Sequence, residues 1–216
     1  MPGRDRCRVG DLPDGVAAAL RALLLSGGVD SVALAFWKRP EVAITVDYGQ
    51  RAASAEVAVS KHVCALIGID HVVVTADCSA LGSGDMAGTA PLPDAPVSEW
   101  WPFRNQLLAT LAGMKAVSIG ATELLLGSVA SDGTHVDGTA PFYSMLDRLF
   151  AMQEGLLRVS APALDLTSAE LVRASGIRRE LLAWAHSCHT SAIACGACRG
   201  CFKHQHVMEE LYGDPY

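Results

Sequence analysis

Charge and aromatic side chains are both scarce in these 216 residues: Asp, Glu, Lys and Arg make up 19% and Phe, Trp and Tyr 6%. Half of the chain (50%) is hydrophobic, and that balance excludes an intrinsically disordered protein, which needs the reverse. Positive charge is the scarcer sign, 17 Lys and Arg against 23 Asp and Glu for a net charge of −6. Such a surface repels a nucleic-acid backbone, so a polyanion partner would need a local basic patch. No apolar run approaches the roughly 18–20 residues that cross a bilayer. The apolar stretch 16–25 is interrupted by Arg21 and follows Asp11 and Asp14, whereas a signal peptide starts cationic. Arg4, Arg6 and Arg8 read as a solvated terminus. A soluble, cytoplasmic protein with no membrane partner is expected.

What is present is an alternation of short β-like runs and longer helical ones. Strands are expected over 20–25, 42–46, 72–75 and 124–127. Helices are expected over 31–39, stopped by Pro40, and over 52–67, 105–119 and 142–157. Thr167-Ser168-Ala169-Glu170 is a capping-box signature opening a further helix. Strand and helix in turn imply crossover connections, hence an α/β fold with a doubly wound, mostly parallel sheet. Ligands of such sheets lie beyond the carboxyl ends of the strands, which selects three loops: 26–31, 47–51 and 128–141. Segment 78–101, with Gly82, Gly84, Gly88, Pro91, Pro93 and Pro96, shows little periodicity and is expected to be a lid or dimer-contact loop without regular structure.

The first loop, Leu25-Ser26-Gly27-Gly28-Val29-Asp30-Ser31, puts two glycines and two hydroxyls between a buried strand and a helix start. Glycine permits left-handed angles and close ligand approach, and successive amides at a helix N-terminus form an anion cradle. Asp30 can orient backbone donors or a magnesium shell. No Lys-Ser/Thr follows the glycines, so this is no Walker-type loop, and the dinucleotide-binding Gly-x-Gly-x-x-Gly is missing too. The string resembles the pyrophosphate-loop motif of the adenine-nucleotide alpha hydrolase superfamily, whose members adenylate a substrate and release pyrophosphate.

Three further segments bear on the branch. Asp47-Tyr48-Gly49-Gln50-Arg51 is similar to the Asp-Tyr-Gly-Gln-Arg string of the 7-cyano-7-deazaguanine synthases, queuosine-pathway enzymes. Pro102-Phe103-Arg104-Asn105 resembles the Pro-x-Arg-Asn opening of a long helix in the same family. In the loop 127–142, Asp132, Asp137 and Phe142 match the family, but Gly138-Thr139 stands where Cys-Arg is expected.

Seven cysteines fall into two groups. Cys7, Cys64 and Cys78 are scattered and read as inert thiols. Cys188, Cys195, Cys198 and Cys201 crowd together, the last three as Cys-Gly-Ala-Cys-Arg-Gly-Cys. Two-residue gaps let thiolates converge on one tetrahedral zinc, and four ligands close the shell, so the metal is expected to be structural. Disulfides or an iron–sulfur cluster are the competing readings. The deazaguanine synthases carry the same arrangement after a Ser-Cys pair, here Ser187-Cys188. Lys203, His204 and His206 then either bring positive charge to phosphates or form a solvated tail.

The resemblance, from Leu23 to Lys203, implies residues 1–160 as a nucleotide-binding α/β domain and 161–216 as a helical extension with the four-cysteine zinc site. It implies an ATP-dependent ligase that turns 7-carboxy-7-deazaguanine and ammonia into 7-cyano-7-deazaguanine by way of an adenylate and an amide, with Mg2+ on the phosphates, in a homodimer. Leu25, Ser26, Gly27, Gly28, Val29, Asp30 and Ser31 would bind ATP. Asp30, Arg51, Arg104 and Asp137 would be catalytic, and Tyr48, Gln50, Asn105 and Asp132 would meet substrate. The altered Gly138-Thr139 leaves open a diverged enzyme that stops at the amide or attaches a deazaguanine-type acid to a protein or DNA partner. A non-catalytic zinc-knuckle binding module is the third reading.

Overall fold

The structure, a computed structural model, describes residues 19–214. Arg4, Arg6, Cys7, Arg8 and the beginning of the 16–25 apolar stretch lie outside the described residues. Five strands, β1 (Arg21–Leu24), β2 (Val42–Asp47), β3 (Asp70–Thr75), β4 (Glu123–Leu125) and β5 (Arg158–Ser160), form one sheet in the order β3-β2-β1-β4-β5 with every neighbour parallel. Eight α-helices accompany them among the described residues: α1 (Val29–Lys38), α2 (Ala53–Ile67), α3 (Gly84–Ala87), α4 (Arg104–Ser118), α5 (Ala140–Ala151), α6 (Ser168–Ser175), α7 (Arg179–Leu182) and α8 (Arg199–Tyr212).

The β1 and β2 sequences are apolar almost throughout because both faces of the sheet are covered. Successive side chains point to opposite faces, so Leu23 and Leu25 join a core with Val32, Leu34, Leu171, Val207 and Met208, while Ala22 joins the other with Ile44, Leu124, Ala112, Ala116 and Phe150. The first core is closed by α1, α6, α7 and α8, so the C-terminal helices share it with the sheet. The chain leaves β1 towards β2 on one side and returns to β4 on the other. The strand order thus reverses between β1 and β4, and a crevice opens at their carboxyl ends.

Most expected elements lie within a residue or two of their places. Helix α1 stops because Arg39 turns left-handed (φ +46) and donates its N–H to Ala35 O, one residue before the proline held responsible. The capping box at Thr167 is formed in both directions, Glu170 N to Thr167 Oγ1 (3.2 Å) and Thr167 N to Glu170 Oε2 (2.8 Å).

Two expectations need correction. The helix expected over 142–157 runs instead from Ala140 to Ala151, and it cannot continue to 157, because Leu156 is left-handed (φ +47) and Gly155 lies against Val117, where a Cβ would come within 2.7 Å of Cγ2. The chain then forms β5, a three-residue edge strand too short to show any period. Segment 78–101 is not irregular throughout either. It contains the 3-10 turn Ser79–Leu81 and α3, and it is fastened by Arg51 N to Met86 O (2.9 Å) and Asp85 N to Ser98 O (3.0 Å). Met86 and Trp101 enter the second core, outweighing the glycines and prolines between them.

Close approach of α4 and α5 depends on Gly113, where a Cβ would stand 2.5 Å from Phe150 Cε1 and 3.4 Å from Leu157 Cδ2. Gly113→Val is therefore expected to overpack this contact and cost ~1–3 kcal/mol, read as a lowered urea midpoint at unchanged slope.

Candidate active site and cysteine cluster

A pocket of about 280 Å³ occupies the crevice at the ends of β1, β2 and β4. Its floor is the glycine loop. Leu25 N–H still pairs with Ile44 O (2.9 Å), and Leu25 O accepts from Thr45 Oγ1 (2.8 Å) and Ser60 Oγ (3.4 Å). After that anchor the chain must turn at once into α1, and Gly27 does so at φ +78 with the α2 backbone beneath it, Glu56 O lying 3.1 Å from where a Cβ would be. Gly28 caps α1 without a side-chain hydrogen bond, so the first amides of the helix stay available to a ligand. Ser26 Oγ and Ser31 Oγ lie 3.1 Å apart at the mouth of this cradle. Leu25, Ser26, Gly28, Val29, Asp30 and Ser31 all border the pocket, whereas Gly27 makes the turn behind it.

Lys203 reaches the cradle from α8. Its Nζ is 2.7 Å from Asp30 Oδ2 and 2.9 Å from Asp132 Oδ1. Burial alone would lower its pKa, but the two carboxylates more than offset that and hold it above the ordinary lysine value. Asp30 Oδ1 is buried with no hydrogen-bond partner. Ser128, at the end of β4, is hydrogen-bonded to Tyr143, whose hydroxyl burial pushes up to about 12.

The opposite wall carries Tyr48, Glu56, Met86, Arg104, Asn105 and His189. Tyr48 is packed edge-on against Trp101 (centroids 5.0 Å, 68°), and burial raises its pKa. Glu56 is not announced by the sequence, although it is the one acidic residue in α2. Its Oε2 accepts from Gln50 Nε2 at 2.7 Å, and burial drives its pKa up to about 7 against the pull of Gln50 and Arg104. His189 is likewise unannounced. Burial, then the Arg104 charge, push it down to about 4, so it is neutral, with Nδ1 buried and unpartnered.

Other expected site residues are placed elsewhere. Gln50 is buried and committed to the fold, accepting from Tyr48 N (2.9 Å) and donating to Val46 O (3.3 Å) and Glu56. Arg51 is exposed outside the pocket, its stem against Gly88. Asp137 accepts from Asn105 N (3.3 Å) and its carbonyl from Asn105 Nδ2 (3.0 Å), tying the loop after β4 to α4 at a small side crevice shared with Glu99, Trp101 and Arg104. Gly138 is packed so that a Cβ would meet Asp132 O at 2.4 Å, so the Gly138-Thr139 departure helps fix the aspartate that holds Lys203.

Cys188, Cys195, Cys198 and Cys201 form a cluster with all sulfurs within 4.8 Å of one another. Cys195 to Cys201 and Cys188 to Cys198 each measure 3.9 Å, too far for disulfides. A tetrahedron with Zn–S arms of about 2.3 Å has edges of about 3.8 Å, so the four thiols fit zinc. Backbone donors already serve sulfur: Cys198 N to Cys195 Sγ (3.3 Å), Cys201 N to Cys198 Sγ (3.4 Å) and His189 N to Cys198 Sγ (3.3 Å). Thr190 and the Ala197 and Cys198 amides bring the exposed Cys195 down to about 6, while burial drives Cys201 up to about 12. The cluster adjoins the pocket. His186 N donates to Gly27 O (2.8 Å), Ser187 Oγ is 3.3 Å from His204 Nδ1, and Arg199 pairs with the largely buried Glu99 (3.1 Å).

Comparison with known proteins finds a family model and relatives that match most of the chain. The family model described as queuosine biosynthesis protein QueC matches residues 21–212. A 7-cyano-7-deazaguanine synthase of Methanosarcina barkeri is 32% identical over 207 residues, 83% of this chain and 89% of that protein. Another, from Desulforudis audaxviator, is 35% identical over 221 residues, 88% and 97% of the two chains. Among solved structures, NMN synthetase from Francisella tularensis aligns over 92% of this chain and 79% of that one at 14% identity, with a TM-score of 0.47.

Proposed function

We propose that this chain, which belongs to the QueC family of queuosine biosynthesis proteins, is an ATP-dependent synthase that converts 7-carboxy-7-deazaguanine and ammonia to 7-cyano-7-deazaguanine. The observation that carries the reading is that the uncapped start of α1, Ser26, Ser31 and Lys203 all border one pocket. Donors and a cation converging there suit the β,γ end of a triphosphate.

A carboxylate resists amination because its leaving group would be oxide. Attack of a carboxylate oxygen on the α-phosphorus of ATP expels pyrophosphate and leaves an acyl adenylate. Ammonia then adds to the acyl carbon, and AMP departs with the former carboxylate oxygen. A second ATP takes the amide oxygen in the same way, and loss of AMP and the nitrogen-bound protons yields the nitrile. The amides, Ser26 and Ser31 would hold the departing pyrophosphate, and Lys203 would meet its charge. Arg104 would orient the acid; Asp137, at the side crevice beside Arg104, and Arg51, exposed outside the pocket, would act only on substrate that extends to them. A magnesium ion bound with ATP would neutralise phosphate charge, and the carboxylate of Asp30, which borders the pocket, would supply an oxygen ligand for it. In the same reading the cysteines hold structural zinc, and the protein works in the cytoplasm as a homodimer.

The test is mass spectrometry of products formed from 7-carboxy-7-deazaguanine, ATP, Mg2+ and ammonia, with pyrophosphate counted alongside. Nitrile as the dominant product, with two pyrophosphates per nitrile, is expected. Amide or a protein conjugate as the end point would replace this reading with that of a diverged ligase. No pyrophosphate release with any deazapurine acid would leave a binding module.

A further inference from the structure

We propose that Glu56 is the base-recognition residue of the pocket and accepts the paired N–H donors of a 2-amino-oxopyrimidine edge, the face by which a deazaguanine acid differs from other flat heterocycles. The inference rests on the function proposed above and adds a specificity-determining group to it.

The surroundings of Glu56 make its carboxyl an acceptor held in place. Gln50 cannot be flipped: its oxygen takes the Tyr48 amide proton (2.9 Å), so its nitrogen must donate to Val46 O (3.3 Å) and to Glu56 Oε2 (2.7 Å). Both Gln50 donors are spent, leaving nothing of Gln50 for a ligand, while Glu56 borders the pocket with acceptor capacity left over. Around it the wall is apolar and suited to a flat ring: Leu24, Val46, Tyr48, Met86 and Leu108. Burial drives the carboxyl up to about 7, Gln50 and Arg104 pull it back and Asp47 adds to the rise, so donors supplied by a ligand complete the ionised acceptor. A buried acceptor of this kind is costly when unpaired and rewards a ligand that supplies donors. An edge with two adjacent donors, lactam N–H and exocyclic amine, satisfies it. The adenine edge of ATP offers one donor beside a lone pair and does not. The acid group of the same substrate would then be directed towards Arg104 and the phosphate cradle.

The experiment compares the full-length protein with Glu56→Gln, which keeps the acceptor for Gln50 but loses the charge and presents N–H where an acceptor is needed. Calorimetry measures affinity for 7-carboxy-7-deazaguanine, for its analogue lacking the 2-amino group, and for a non-hydrolysable ATP analogue. The wild-type protein is expected to favour the 2-amino acid by about 10–100-fold. Glu56→Gln is expected to shrink that preference to within about twofold while its ATP-analogue affinity and melting temperature stay at wild-type values. A variant that keeps the full preference overturns the inference, as does one that loses ATP-analogue affinity instead, which would assign Glu56 to the adenosine. Failure of the wild-type protein to bind either acid is a different result: it removes the proposed reaction, and this inference with it.

Discussion

Lys203→Met is expected to lower the rate of pyrophosphate release by about 10²–10³-fold, the range seen when one preorganised charge or donor is taken from a developing anion. Two effects add. The variant loses the cation that the proposed reaction sets against the departing pyrophosphate. It also frees Asp30 and Asp132, whose oxygens now meet Nζ at 2.7 and 2.9 Å, to repel the triphosphate from the place the lysine held. The lysine side chain is about one-third exposed (35%), so solvent screens part of the ion-pair energy, and stability should change far less than rate. Asp132→Asn separates the contributions, since it removes one repelling charge and leaves Nζ with Asp30 as its one charged partner. The double variant should therefore be faster than Lys203→Met alone. Initial rates across ATP concentrations decide it: Lys203→Met within threefold of wild type would remove the lysine from the chemistry.

The parts legible in the sequence are those where one requirement dominates. Strands β1 and β2, covered on both faces, must be apolar throughout, and the glycine loop must contain Gly27 because the chain reverses there at φ +78. The four cysteines are readable because few spacings let four thiols gather where one metal ion could be held. Elements set by their neighbours are not legible. β5 exists because β4 offers an edge, with Leu126 N–H meeting Ser160 O at 2.8 Å, and nothing local to residues 158–160 announces it. Segment 78–101 is rich in turn formers, yet Met86 and Trp101 pull it onto the core. The site divides in the same way. Ser26, Asp30 and Ser31 are adjacent in the chain and are found together, whereas Glu56, His189 and Lys203 reach the pocket from three separate segments. Lys203 stands in a basic run that says nothing of its two aspartate partners. Glu56 and His189 escape notice because a lone acid in a helix or a histidine beside a cysteine has no local pattern. Arg51 shows the converse: it shares a motif string with Tyr48, but the chain turns and leaves it exposed.

In the proposed zinc-bearing protein, stripping metal from the cysteine cluster is expected to weaken nucleotide binding sharply without unfolding the sheet. The lower half of α8 is fixed independently, since Val207 and Met208 lie in the core with Leu23 and Leu171. Its first turn has no such support. Cys188, Cys198 and Cys201 form a separate small buried cluster, and Cys198 caps the helix by accepting from Cys201 N (3.4 Å). Structural zinc contributes apparent values of about 10–16 kcal/mol in small peptides, so without it that turn, carrying Arg199, Gly200 and then Lys203, is expected to fray. The strap 186–189 would loosen with it, because Gly200 is seated on Ser187 O, where a Cβ would come within 1.9 Å, and His186 holds Gly27 O. Chelator-treated protein should therefore lose a small part of its helical circular dichroism, keep a cooperative thermal transition at lower temperature, and bind an ATP analogue at least about 100-fold more weakly, as expected when several charge-assisted hydrogen bonds are lost together. One equivalent of zinc should restore affinity, and magnesium should not. Cys198→Ser should mimic chelation and resist rescue. Undiminished nucleotide affinity in the stripped protein would mean that the glycine loop and Lys203 hold their places without the cluster, and the coupling of knuckle to pocket would fall.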